Sequence, residues 1–151
     1  MTTPLIQSRR LIFLGLVLFL LGLILGLFVP SFANPRMALS GHLEGILNGL
    51  FLCVLGIIWQ RLALGPKWHA FAFWLAVYGA FANYLAVIVA AVTGQGRMMP
   101  IAGGKDGTFM IEGLISFLLV SLSVAMLLVC GIVLTGFYRY MRLSSDDASK
   151  A

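Results

Sequence analysis

Charge is what this chain of 151 residues has least of. Asp, Glu, Lys and Arg make up 10% of it, against about 25% in soluble domains. Only five residues are acidic. Two cysteines, Cys53 and Cys130, stand apart, deep in apolar runs. That excludes a disulfide framework, and both read as buried small residues. Two histidines, His42 and His69, lie in different apolar segments. They are too few for a zinc cage, which takes three or four ligands. What is present is apolar: hydrophobic residues are 61% and the mean hydropathy is +1.04. This excludes a disordered chain, a nucleic-acid binder and an ordinary soluble enzyme. The length fits one domain. The net charge of +5 lies between the apolar runs and at the chain ends, where it orients a membrane protein, so no nucleic-acid partner is read from it.

A helix needs about 20 apolar residues to cross the hydrocarbon of a bilayer. Four runs qualify: residues 11–29, 38–59, 68–92 and 110–138. The fold class is therefore all-α, a polytopic four-helix transmembrane bundle over residues 1–143. A polar tail, 144–151, is expected to be disordered. Seven basic residues (Arg9, Arg10, Arg61, Lys67, Arg139, Arg142, Lys150) fall on one side of this topology and three (Arg36, Arg97, Lys105) on the other. The positive-inside rule puts both termini in the cytoplasm. Residues 8–14 also have the layout of a twin-arginine or secretory signal. The run is long for a signal and precedes no soluble passenger, so it reads as the first span.

Polar residues inside spans are costly and are functional candidates by default. The second span carries His42, Glu44 and Asn48; the third Tyr78, Asn83 and Tyr84; the fourth Glu112, Ser116 and Ser123. At about 1.5 Å of rise per residue, Asn48 and Asn83 each lie about 15 Å from the outer ends of antiparallel spans. The two amides are expected to meet near mid-membrane, with His42 and Glu112 nearer the outer surface. At about 100° per residue, Gly45, Gly49, Cys53 and Gly56 share the face of His42. The Gly41, Gly45, Gly49 spacing permits close helix packing. Equally, it offers a bare floor on which a histidine holds a flat cofactor such as haem. Glu44 and Asn48, one turn apart, occupy another face. Asn83 is either an interhelical hydrogen bond in an alanine-rich seam or the polar base of a small pocket. Tyr84 is a packing aromatic or a proton donor, and Glu112 a solvated helix-start carboxylate or a site residue.

The stretch 33–49, Ala-Asn-Pro-Arg-Met-Ala-Leu-Ser-Gly-His-Leu-Glu-Gly-Ile-Leu-Asn-Gly, resembles the signature of the hydroxylaminobenzene mutases, as do 78–85 and 100–112. The resemblance covers about residues 9–139. It implies a bacterial inner-membrane isomerase of nitroarene breakdown that converts a small aromatic hydroxylamine to an ortho-aminophenol without external oxidant or reductant. A more distant resemblance, through His42, Asn48-Gly49 and Ala82-Asn83, is to styrene oxide isomerase. That likeness implies a homotrimer with haem b between subunits and ferric iron acting as a Lewis acid. His42 would be the axial ligand, Gly45 and Gly49 the cofactor floor, and Asn48 a polar group of the substrate pocket. The third-span tyrosine of that family falls near Val87 here, and Tyr84, one turn earlier, is the nearest substitute. Asn83, Tyr84, Glu44 and Glu112 complete the expected catalytic set, the last three as proton relays. Two rival classes fit the same residues: an exporter coupling protons through Glu44 or Glu112 to an aromatic cation, and a subunit whose glycines serve assembly alone.

Overall fold

The computed structural model describes residues 3–148. Lys150, counted above as a cytoplasmic charge, and the last residues of the expected tail lie outside them. Four helices run in chain order: α1 (Pro4–Leu27), α2 (Pro35–Ile58), α3 (Pro66–Thr93) and α4 (Phe109–Ala148). All four are long and apolar enough to cross a membrane. An apolar run in lipid must satisfy its own backbone groups, and the helix does this within one segment. Three of the helices begin at proline, whose missing N–H costs nothing in a first turn. The bundle is built by neighbours: α1 packs on α2, α2 on α3 and α3 on α4, with α1 also reaching α3.

The tail expected to be disordered from Ser144 instead continues α4 through Ala148. Nothing between residues 139 and 148 is glycine or proline, so nothing there breaks a helix.

The core runs along the α1–α2–α3 seam through Leu11, Leu18, Leu52, Trp59, Ala72, Ala76 and Ala80, with Val129 added by α4. Large apolar residues such as Phe13, Leu47, Trp74 and Phe117 point outward, as lipid-facing side chains do. Cys53 is half-buried, its thiol 3.6 Å from the Ile12 carbonyl. Cys130 is exposed on the outer face of α4, which corrects the reading of both cysteines as buried.

The α3–α4 connection is folded over one end of the bundle. Gly94 ends α3 in the left-handed conformation (φ 72°), which glycine adopts without strain. Asn34, the cap of α2, accepts from the Met37 N–H and donates to the carbonyls of Ala102 and Gly103, at 3.1 and 3.0 Å. Its own backbone N–H donates to Ala91. One residue thus ties the start of α2 to the end of α3 and to the loop.

Candidate active site

Glu44 and Asn48 are four residues apart on α2, so their side chains lie one turn apart on the same face. Asn83 faces them from α3. The Asn48 amide donates to Glu44 Oε2 at 3.0 Å, and the Asn83 amide donates to the same oxygen at 2.6 Å. Asn48 is nearly buried, while Glu44 and Asn83 are half-buried. The amides do come together, but through a carboxylate rather than with each other. Each alternative for a polar group here, unpaired in hydrocarbon, is expensive, which is why the three side chains converge.

His42 lies on another side of α2, against α1. Its Nδ1 is 2.8 Å from the Gly22 carbonyl oxygen. A carbonyl can only accept, so Nδ1 is the donor in this contact, and in the neutral ring Nε2 is the nitrogen with a lone pair to offer. Gly26 makes this possible: a Cβ there would stand 2.6 Å from the His42 ring nitrogen. A histidine whose second nitrogen donates to a backbone carbonyl has the arrangement of a metal ligand oriented by its surroundings.

The glycine face of α2 is closed by α1. A Cβ on Gly45 would lie 2.6 Å from Gly22 Cα, and one on Gly49 would lie 2.7 Å from Gly15 O and Phe19 N. The bare floor for a flat cofactor is thus corrected: Gly45 and Gly49 are where two backbones meet, the usual role of small residues between membrane helices. A signal for this was present in α1, where Leu11, Gly15, Leu18, Gly22 and Leu25 form one buried stripe. Its glycines match those of α2.

Tyr84 is buried, its ring against Gly45 and its hydroxyl donating to the Leu21 carbonyl at 2.9 Å. It joins α3 to α1 and stands apart from the hydrogen bonds of Glu44. Glu112 is not brought to the cluster either. Its carboxylate accepts from the backbone N–H of Gly96 (3.0 Å) and of Arg97 (3.1 Å). It anchors the α3–α4 loop to the start of α4, which corrects its place among the proton relays. Ser123 bonds back to Leu119 on its own helix. Ser121, which the pattern reading passed over, meets Tyr78 Oη at 2.6 Å.

A second polar knot lies at the opposite end of the bundle. Trp59 Nε1 donates to Gln7 Oε1 at 3.0 Å, and Ser8 Oγ donates to the Gly56 carbonyl at 2.7 Å. The His69 ring sits within reach of the Leu64 and Trp59 carbonyls. These bonds are within or between backbone-bearing elements and pin α1, α2 and α3 together there.

The sequence profile of the styrene oxide isomerase family matches residues 7–138. Hydroxylaminobenzene mutase HabB of Ectopseudomonas oleovorans is 51% identical over 146 residues, covering 95% of this chain and 89% of the relative. Hydroxylaminobenzene mutase HabA of the same organism is 46% identical over 127 residues, covering 83% of this chain and 94% of the relative. No solved structure gives a match. The profile spans most of the chain and both relatives match it at high identity over most of its length, so this chain, with its four apolar helices, belongs to the styrene oxide isomerase family and is a multi-pass membrane isomerase of the mutase kind.

Proposed function

We propose that this chain converts hydroxylaminobenzene-type arylhydroxylamines to 2-aminophenols. The observation that carries the reading is the Glu44–Asn48–Asn83 cluster, three groups able to hold a small N–OH function between apolar helices. The names of the two mutases support the substrate class. The reaction conserves every atom. The N–O bond breaks and a C–O bond forms at the ortho carbon; the ortho proton leaves and nitrogen gains one. Asn48 and Asn83 orient the N–OH group beside the ring. Glu44 is the carboxylate positioned to take the ortho proton, since Glu112 and Tyr84 are engaged elsewhere. Apolar surroundings keep bulk water from capturing the activated ring, and the held geometry returns oxygen to the adjacent carbon. An aromatic substrate that partitions into lipid would reach such a site from the bilayer.

The donor chemistry of His42 fits haem b: one nitrogen is fixed by Gly22 and the other, in the neutral ring, would hold the iron. Ferric haem bound there would supply a Lewis acid for the leaving oxygen. Because α1 covers the glycine face, the remaining wall for such a group would come from outside the chain, which a homotrimer would provide. By resemblance to the mutases the membrane is the bacterial inner membrane, and the distribution of basic residues supports both termini in the cytoplasm.

A second reading is favoured by the family profile: isomerisation of an aryl epoxide at the same cluster. The two are separated by incubating the purified protein with hydroxylaminobenzene or styrene oxide and analysing products by chromatography. 2-Aminophenol formed above a protein-free blank is expected. Phenylacetaldehyde alone would replace the first reading with the second. A Soret band lost in His42→Ala is expected for the haem; a colourless protein that still turns over would remove the haem and keep the mutase. Turnover in detergent, where no gradient exists, excludes an exporter.

A further inference from the structure

Both amides of the cluster are turned the same way. A carboxylate only accepts hydrogen bonds, so Asn48 and Asn83 must each present nitrogen to Glu44 Oε2, as they do at 3.0 and 2.6 Å. In a carboxamide the oxygen and nitrogen are on opposite arms, so each Oδ1 is directed away from the carboxylate. Neither Oδ1 accepts a bond within the chain, and among the described residues no buried side-chain oxygen or nitrogen lacks a partner. The two oxygens are therefore reachable from outside the cluster, as is Glu44 Oε1. Three acceptor oxygens, one of them a carboxylate's, stand against the two N–H groups the amides have left.

We infer that Glu44, beyond its part in proton transfer, sets the polarity of the site: by taking both amide nitrogens it turns both carbonyls toward the ligand and selects small aromatic ligands that donate hydrogen bonds. This rests on the reading that the arylhydroxylamine binds at this cluster. Its N–OH group carries two donors, one on nitrogen and one on oxygen. The oxygen of an aryl epoxide carries none and would meet acceptor oxygens with no hydrogen between them. A site built to pair a donor rejects an isostere that lacks it, because the buried acceptors are left unpaired. Glu44 thereby separates hydroxylamine from epoxide chemistry on one scaffold. Glu44→Gln removes the constraint: a carboxamide can donate to an Asn Oδ1, which frees that amide to turn its NH₂ outward.

The test uses an isosteric pair of probes: indole, which donates through N–H, and benzofuran, which has oxygen there and donates nothing. Their affinities for the full-length protein in detergent are measured by equilibrium dialysis and corrected for partition into micelles. Wild type is expected to prefer indole by about tenfold or more. Glu44→Gln is expected to shift the ratio about tenfold toward benzofuran, and Glu44→Asp, still an acceptor, to keep the wild-type preference. A wild-type ratio near one overturns the inference without any variant, so a Glu44→Gln protein that fails to fold does not protect it. A folded Glu44→Gln protein whose ratio stays within twofold of wild type overturns it too. Loss of the preference with 2-aminophenol still formed would overturn the polarity and leave the reaction standing. An intact preference without product would support the polarity and overturn the reaction.

Discussion

Glu44 and Asn83 are 39 positions apart in the chain and 2.6 Å apart in space, and the oxygen they share also accepts from Asn48. One carboxylate oxygen therefore fastens α2 to α3. Removing a donor leaves that oxygen under-satisfied rather than solvated.

Asn48→Ala and Asn83→Ala are each expected to destabilise the protein by about 1–3 kcal/mol. The double variant should depart from additivity by about 0.5–3 kcal/mol, because both amides serve one acceptor. Unfolding in detergent, followed for the two single variants and the double, measures this. Strict additivity would show that the amides do not share Glu44.

Gly26→Ala tests the seating of His42. A Cβ 2.6 Å from Nδ1 forces the ring away from the Gly22 carbonyl. Loss of an orienting partner typically weakens a ligand by about 10–100-fold. Haem titration followed at the Soret band is expected to show a loss in that range, with α-helical content unchanged. Haem affinity equal to wild type would mean the Gly22 bond does not orient the ligand.

The glycines divide into two classes. Gly22→Val or Gly45→Val drives a side chain into facing backbone and should cost about 1–3 kcal/mol or more, seen as an earlier thermal transition. At Gly113 and Gly131 a Cβ meets nothing within 4 Å. There, alanine should stabilise the helix by about 0.5–1 kcal/mol. Equal losses at all four positions would contradict the α1–α2 pairing.

Glu112→Gln should loosen the α3–α4 loop without dismantling the cluster. Faster hydrogen exchange at the Gly96 and Arg97 amides is expected, since the carboxylate that accepts from them is weakened. Formation of 2-aminophenol should fall less than in Glu44→Gln. A larger fall at Glu112 would return it to the proton-transfer set.

Much of this molecule is legible in its residue order. Length and apolarity determine four spans, since a chain in hydrocarbon has to bond its own backbone. The helical repeat determines that Glu44 and Asn48 share a face and that His42 does not. Depth along antiparallel spans brings Asn48 and Asn83 to one level. Tertiary structure alone decided which helix covers which face. Lipid tails are as apolar as leucine, so an apolar pattern in a membrane helix does not mark inside from outside. The glycine face of α2 could equally have met a cofactor or a helix, and it met α1 because Gly15 and Gly22 leave matching room. Glu112 could equally have faced the cluster, and it went to the loop because the backbone N–H groups of Gly96 and Arg97 are turned toward the start of α4 and donate to its carboxylate.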